Sequence, residues 1–144
     1  NQFISMLIFQ KNKTFKTYPK QILHEDEVPY FNKGNENVYI NKADLKIAPA
    51  ICYESMQEEH IKRASENGAD LYLVSVAKDE NGMKKAHEYF QRKSKEYSIP
   101  IIVSNCVGTY QDFDGAGMSV AWDKNGNIIE SMNSSEEGIF YVGI

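Results

Sequence analysis

Long apolar stretches alternate with amphipathic ones along this chain. Leu45 to Ile51, Leu71 to Ala77 and Ile99 to Asn105 are rich in apolar residues, which is typical of strands buried on both faces of a sheet. The segments between them, Glu54 to Asn67 and Asn81 to Tyr97, place apolar side chains at helical spacing. Because parallel strands need long crossovers, usually helices, we expect these three strands to lie parallel with right-handed connections.

Shorter strands are predicted on both sides of this centre. Gln2 to Gln10 and Thr14 to Tyr18 form a predicted hairpin around Lys11-Asn12-Lys13, and Pro19 ends its second strand because proline lacks the N–H donor. An Asn125-Gly126 turn predicts a second hairpin. The remaining predicted strands are Asn37 to Ile40, Met118 to Asp123, Asn127 to Met132 and Gly138 to Ile144. Since hairpins give antiparallel edges, the predicted fold class is α/β with a mixed β-sheet.

Composition narrows the possible functions. The 144 residues fit one domain, and a formal net charge of −4 argues against a general binder of nucleic acid or membrane surfaces. The apolar runs are far shorter than the roughly 20 residues of a transmembrane helix, so we expect no membrane partner. Cys52 and Cys106 are too few for a disulfide scaffold, and although they could pair we expect reduced thiols in a cytoplasmic protein. The three histidines show no metal-ligand spacing, and we expect neither a metal nor a cofactor.

Cys52 lies where the first buried strand ends and a helix begins. Open α/β sheets bind ligands at that edge, and a helix N-terminus stabilises negative charge and offers free N–H groups. Both effects favour a thiolate and support an oxyanion, so Cys52 is a candidate nucleophile. From the residues alone, a small buried core cysteine is an equally good interpretation.

A second candidate region is the polar and aromatic loop from Lys20 to Gly34, since long loops in compact domains are often functional. Lys20 is followed closely by Glu25, Asp26 and Glu27. A lysine near carboxylates keeps its charge and can polarise a carbonyl group. The competing interpretation is an ordinary solvated lysine.

The other buried strands end near the same edge of the sheet. Ala77 and Lys78 follow the second strand and Asn105 ends the third, so we expect them to line a pocket beside Cys52. The alternatives are that Lys78 is merely solvated and that Asn105 satisfies backbone groups of nearby loops. Glu54 either hydrogen-bonds the Cys52 turn or simply occupies the favourable first turn of its helix.

Three short motifs in this chain resemble the nitrilase, or carbon–nitrogen hydrolase, superfamily. They are Tyr18-Pro19-Lys20-Gln21-Ile22-Leu23, Pro49-Ala50-Ile51-Cys52-Tyr53-Glu54 and Gly68-Ala69-Asp70. The resemblance continues at Glu27, Tyr30-Phe31, Gly34, Arg92, Pro100 to Asn105, Gly108, Gly117-x-Ser119 and Asp123 to Gly126. It covers nearly the whole chain, in the order that the family shows.

The resemblance implies part of a four-layer α-β-β-α sandwich and an amidase-like hydrolase of non-peptide carbon–nitrogen bonds. It implies that Cys52 attacks a small-molecule amide or nitrile to give a thioester or thioimidate, and that Lys20 stabilises the tetrahedral intermediate. Glu27 matches a second family glutamate that positions the lysine and the substrate, with Glu25 as the alternative. The residues expected to bind the oxyanion or the substrate are Tyr53, Glu54, Ala77, Lys78 and Asn105.

One departure from the family pattern matters most. The family's general-base glutamate lies upstream of the lysine, whereas residues 1–19 contain no Asp or Glu. The chain also begins with Asn1 and is shorter than family domains, so we expect residues 1–144 to be a partial domain that lacks its first strands. Such a chain is expected to be inactive, or nearly so, by itself. The other accounts are a separate chain carrying the missing half and a degenerate relative.

Alternative functions and assembly complete these expectations. The Pro49 to Glu54 segment also resembles an N-acyltransferase branch, which passes the acyl group to an amine but usually has membrane spans. A catalytically dead binding module is the third possibility. Because family members commonly dimerise, the resemblance also implies a homo-oligomer, most simply a dimer.

Overall fold

A computed structural model describes residues 2–11, 14–110 and 112–143 of the chain. Within these ranges the chain forms two α-helices, one 3-10 helix and ten strands. The helices are α1 (Glu58–Glu66) and α2 (Glu80–Tyr97), and the 3-10 helix spans Cys52–Met56. The strands are β1 (Ser5–Ile8), β2 (Lys16–Pro19), β3 (Ile40–Lys42), β4 (Leu45–Ile51), β5 (Leu71–Val76), β6 (Ile101–Asn105), β7 (Val107–Tyr110), β8 (Phe113–Ala116), β9 (Val120–Trp122) and β10 (Ile128–Ser131).

Six strands form a mixed sheet in the order β10-β9-β6-β5-β4-β3. β4, β5 and β6 pair parallel at its centre, with Val74 opposite Ala50 on one side and Val103 on the other. β3, β9 and β10 add antiparallel edges. The predicted mixed α/β sheet is confirmed, and its parallel centre follows from the crossovers that contain α1 and α2. The hairpins β1–β2 and β7–β8 form two separate small sheets.

The apolar core lies between one face of the large sheet and the two helices. Along β5, Tyr72, Val74 and Val76 are buried in a cluster that also contains apolar residues of α1 and α2. Leu73 and Ser75 alternate with them and so belong to the opposite face. Leu73 is half-buried and Ser75 is exposed. The helices therefore cover one face of the sheet, and the other face is partly open.

The helix predicted from Glu54 to Asn67 is interrupted in the structure. α1 begins only at Glu58, because Gln57 has extended backbone with φ −89° and ψ 119°. The Gln57 N–H donates to the Glu54 carbonyl at 3.0 Å, which closes the preceding 3-10 turn. The apolar spacing does not reveal this break, since the turn is stabilised by side-chain hydrogen bonds that compete with regular helix.

The predicted last strand, Gly138 to Ile144, is wrong over its described part. Residues 138–143 form no strand, and Ile144 lies outside the described residues. Ile139 and Tyr141 are highly exposed, so their side chains do not pack against a sheet. Although the run is apolar, it pairs with no strand among the described residues.

Two further strand predictions need correction. The strand predicted at Asn37 to Ile40 is displaced to β3, which turns back onto β4 through Ala43 at a φ of 51°. The β7–β8 hairpin was not predicted; the Thr109 hydroxyl donates to Asp114 across it at 2.6 Å. In the predicted turn before β2, Asn12 and Lys13 lie outside the described residues.

None of the helices in the described parts of the chain is long and apolar enough to cross a membrane.

Candidate active site

Cys52 is the residue that directly follows β4 and begins the 3-10 helix. Its φ of 47° lies in the left-handed region, which a non-glycine residue occupies at a cost on the order of 1–3 kcal/mol. The Ser55 hydroxyl donates to the Cys52 carbonyl at 2.5 Å and stabilises the turn. The thiol is free and Cys52 is half-buried. A strained turn therefore places a free thiol at the carboxyl end of a central parallel strand, where α/β sheets bind ligands.

Lys20 directly follows β2, and its side chain is only 1% exposed. Its ammonium group donates to both carboxylate oxygens of Glu27, at 2.6 and 2.7 Å, and the His24 N–H donates to Glu27 at 2.8 Å. Burial by itself raises the pKa of Glu27, but the hydrogen bonds from Lys20 and His24 and the Lys20 charge outweigh it and lower that pKa below its usual value. Glu25, the alternative partner, is exposed. The structure thus brings Lys20 and Glu27 into a direct ion pair.

Glu54 connects the Lys20 loop to the Cys52 turn. Its side chain is fully buried, and one oxygen accepts from the Ile51 N–H at 2.8 Å. The other oxygen accepts from the N–H groups of Gln21 and Ile22, at 2.6 and 3.2 Å. The residue before Cys52 and the residue after Lys20 therefore bind the same carboxylate, which sets the position of one segment relative to the other.

Two side-chain contacts strengthen this connection. The rings of His24 and Tyr53 meet edge to face with centroids 4.9 Å apart, and Tyr53 is the residue next to Cys52. The guanidinium group of Arg63, on α1, donates to the side-chain carbonyl of Gln21. The loop is thus fixed to the Cys52 turn and to the following helix.

A chain of hydrogen bonds lies behind Glu54. The Tyr18 hydroxyl donates to Glu54 Oε1 at 2.8 Å and lies 2.9 Å from His60 Nε2, and His60 Nδ1 lies 2.7 Å from the Tyr72 hydroxyl. All four side chains are buried. Burial, followed by the nearby Arg63 charge, lowers the pKa of His60 to about 4, so the imidazole is neutral near pH 7. We call Tyr18, Glu54, His60 and Tyr72 the Glu54 network.

Asn105 and Lys78 form a separate polar group at the ends of β6 and β5. Asn105 Oδ1 accepts from the Lys78 N–H at 2.8 Å, and Asn105 Nδ2 donates to the carbonyls of Lys78 and Gly117, both at 2.9 Å. These are the loop backbone contacts that the sequence suggested for Asn105. Ala77 is exposed beside them. Among the described residues, none of these hydrogen bonds reaches Cys52 or Lys20, so the structure does not join the two groups directly.

A cleft of about 490 Å³ lies on the open face of the large sheet. Its lining includes Asn105, Cys106 and Ser119 and residues of the segment after β10, but not Cys52 or Lys20. In the described part of the chain, no three His, Cys, Asp or Glu side chains come together as a metal site would require.

The Glu54 network cannot be recognised as a unit in the sequence. Tyr18 belongs to the Lys20 motif, and His60 shares the buried face of α1 with Ile61 and Ala64. A histidine on an otherwise apolar helix face signals a buried hydrogen-bond partner, but its distance along the chain from Tyr18 hides which partner that is. Tyr72 gives no signal, because an aromatic residue is ordinary in a central strand.

Comparison with known proteins gives the family to which this chain belongs. The family model described as carbon–nitrogen hydrolase matches residues 3–144, so the chain belongs to the carbon–nitrogen hydrolase family. The Lys20 and Cys52 motifs both fall within the matched range.

Individual relatives agree with this assignment. A probable nitrilase of Schizosaccharomyces pombe is 25% identical over 122 residues, covering 85% of this chain and 45% of that protein. The 2-oxoglutaramate amidase of Bacillus subtilis is 25% identical over 132 residues, covering 90% of this chain and 51% of that protein. The structure of glutamine-dependent NAD+ synthetase from Acinetobacter baumannii matches with a TM-score of 0.87 at 21% identity, covering 96% of this chain and 28% of that one. The chain thus spans about half the length of the curated relatives it matches.

Proposed function

We propose that the protein containing this chain is an amidase-like hydrolase of carbon–nitrogen bonds outside peptides, with Cys52 as its nucleophile. The observation that carries the proposal is a buried Lys20 ammonium, ion-paired with Glu27, whose loop binds through Glu54 to the turn of Cys52. Such an arrangement supplies a nucleophile and a preorganised cation on connected segments. The family assignment supports the same reaction class.

The reaction proceeds through a thioester in this proposal. The Cys52 thiolate forms a bond to the amide carbon, and the carbonyl electron pair moves onto oxygen, where the Lys20 ammonium and the Tyr53 N–H stabilise it. The carbon–nitrogen bond then breaks as the leaving nitrogen takes the proton that the general base removed from the Cys52 thiol, which releases ammonia or an amine. Water, giving its proton to a general base, attacks the thioester carbon and releases the carboxylic acid and the Cys52 thiol.

We place the general base outside these 144 residues. Both oxygens of Glu27 bind Lys20, and both oxygens of Glu54 accept hydrogen bonds, so neither carboxylate is available to take the proton. No Asp or Glu occurs in residues 1–19, upstream of Lys20. Because a positioned base contributes about 10²–10⁴-fold, we expect residues 1–144 alone to be slower than the full protein by at least that factor.

Glu54, Ala77, Lys78 and Asn105 take more limited roles in this proposal. Because Glu54 is fully buried, we assign it to holding the Lys20 loop against the Cys52 turn, and not to contact with the substrate. Asn105 hydrogen-bonds the backbone of Lys78 and so stabilises the ends of β5 and β6. In this group, Ala77 and Lys78 are then the residues that border the substrate. We propose a small amide or nitrile as the substrate, and the names of the nitrilase and amidase relatives support this choice. We further propose a cytoplasmic homo-oligomer, with its two thiols reduced.

The test uses the full-length protein that carries this chain. Ammonia release is measured with 2-oxoglutaramate, glutamine, propionamide and propionitrile as probes, and Cys52→Ala is compared with Cys106→Ala. We expect release with at least one probe, a loss beyond about 10³-fold in C52A, and no more than a twofold change in C106A. A thioester at Cys52, trapped by hydroxylamine and located by mass spectrometry, should accompany turnover.

Other outcomes separate the competing functions. Acyl transfer to an added amine, faster than hydrolysis, would identify an N-acyltransferase. Equal and slow iodoacetamide labelling of Cys52 and Cys106, with no turnover of any probe, would identify a binding module and refute the proposal.

A further inference from the structure

We propose that His60 is a positioning residue, which acts through Tyr18 to orient the Glu54 carboxylate and so to set the Lys20 loop against the Cys52 turn. The inference rests on the proposed function, in which Cys52 attacks the carbonyl carbon of the substrate and Lys20 stabilises its oxygen. His60 lies on α1, outside the motifs that carry the family resemblance. Its connection to the site is provided only by the tertiary structure.

The direction of every proton in the Glu54 network follows from the contacts. A carboxylate only accepts, so the single hydroxyl proton of Tyr18 is directed to Glu54, 2.8 Å away. The Tyr18 oxygen must then accept at its other contact, which makes His60 Nε2, at 2.9 Å, a donor. A neutral imidazole with a proton on Nε2 has an acceptor at Nδ1, and the Tyr72 hydroxyl donates to it at 2.7 Å.

This arrangement satisfies all four side chains with one neutral tautomer of His60. Burial, and then the charge of Glu54, raise the pKa of Tyr18, while burial and then Glu54 raise the pKa of Tyr72. Both hydroxyls therefore stay protonated and both donate. Arg63, the cation near His60, donates to Gln21 and opposes protonation of the imidazole. The hydrogen bonds point in one direction, from β5 through α1 to Glu54.

His60 matters for positioning because Tyr18 is the side chain that fixes the rotation of the Glu54 carboxylate. The three other donors to Glu54 are backbone N–H groups of Ile51, Gln21 and Ile22, which belong to the two segments being joined. If His60 no longer donates, the Tyr18 hydroxyl is free to rotate and the carboxylate loses its fixed reference in the core. A displacement of about 1 Å between catalytic groups lowers turnover on the order of 10²-fold.

The substitution His60→Leu removes both ring nitrogens, whereas His60→Gln keeps an N–H donor and a carbonyl acceptor on one side chain. Tyr72→Phe removes only the donor to His60 Nδ1. Tyr89→Phe is the matched control, because among the described residues the buried Tyr89 hydroxyl has no hydrogen-bond partner. Each variant is made in the full-length protein, its folding is checked by circular dichroism and thermal unfolding, and kcat and KM are measured on the best amide probe.

We expect H60L to lower kcat by about 10- to 100-fold with KM changed less than twofold. His60 positions groups that stabilise the transition state, so its loss affects turnover more than substrate binding. H60Q should recover kcat to within about threefold of wild type, Y72F should lie between H60L and wild type, and Y89F should match wild type. A folded H60L with unchanged kcat, or equal losses in H60L and H60Q, would overturn the inference. If H60L does not fold, wild-type kcat in Y72F would overturn it.

A second readout separates this inference from the proposed function. The rate of Cys52 alkylation by iodoacetamide at pH 7 does not require turnover, and it should fall at least threefold in H60L and remain unchanged in Y89F. If the wild-type protein hydrolyses no probe, the proposed function fails. The coupling of His60 to Cys52 is then decided by alkylation alone, and equal rates in wild type, H60L and Y72F would disprove it.

Discussion

Replacement of Glu54 by glutamine tests the central contact of the site. In the structure each carboxylate oxygen accepts two hydrogen bonds, one pair from Tyr18 and Ile51 and the other from Gln21 and Ile22. Glu54→Gln keeps the shape of the side chain but replaces one oxygen by an NH2 group. At one position the NH2 group faces the N–H groups of Gln21 and Ile22, and at the other it faces the Ile51 N–H and the Tyr18 hydroxyl, so one or two buried hydrogen bonds are lost.

The size of the effect follows from these contacts. Each buried group left without its partner costs about 1–3 kcal/mol, and removal of a buried charge offsets part of the sum. We therefore expect E54Q to lower the free energy of unfolding of the full-length protein by about 3 kcal/mol, measured by urea denaturation.

The matched control for E54Q is Glu66→Gln. Glu66 is exposed on α1 and lies 3.9 Å from the Lys62 ammonium, so this change should alter the free energy of unfolding by less than about 0.5 kcal/mol. Similar, small effects for E54Q and E66Q would show that Glu54 does not join the Lys20 loop to the Cys52 turn. The proposed site would then lack the contact that holds its two segments together.

Three other outcomes are expected. The pKa of His60 is about 4 in the folded protein, below the ordinary value of 6.5, so as the pH falls the unfolded chain takes up a proton before the folded protein does. The free energy of unfolding should therefore fall by about 3 kcal/mol between pH 6.5 and pH 4. In urea titrations H60Q should remove most of this pH dependence of stability, and parallel curves for H60Q and wild type would contradict the assignment. Lys20→Met removes the cation while keeping much of the side chain, so kcat should fall about 10²–10³-fold in a folded protein, and undiminished turnover would exclude Lys20 from the reaction. Phe90→Ala empties a fully buried position and should lower the free energy of unfolding by about 3–5 kcal/mol, with a loss under 1 kcal/mol arguing against the described core.

Much of the fold could be predicted from local patterns in the sequence. Continuous apolar runs marked β4, β5 and β6, and the helical segments between them implied parallel pairing, because a parallel connection must cross from one end of the sheet to the other. The same reasoning placed Cys52 at a strand end. These features depend on the period of the side chains along the backbone, which the sequence contains directly.

Local patterns failed where the outcome depended on a partner elsewhere in the chain. Residues 138–143 form an apolar run typical of a strand but pair with no described strand, since strand formation needs an available edge. The helix predicted from Glu54 begins as a 3-10 turn, because the Glu54 carboxylate accepts from Ile51 and from the Lys20 loop. Neither result can be derived from propensity over a short window.

At the site, the amino-acid order establishes which chemical groups are available: a thiol after a buried strand, and a lysine in a loop with acidic residues. Which of these groups meet depends on how the chain packs. The tertiary structure selected Glu27 over Glu25 as the Lys20 partner, and it assigned Glu54 to the junction between segments more than thirty residues apart. The physical reason is that buried charges and hydrogen-bond donors must find partners as water is removed, and those partners are chosen by packing in three dimensions and not by neighbourhood along the chain.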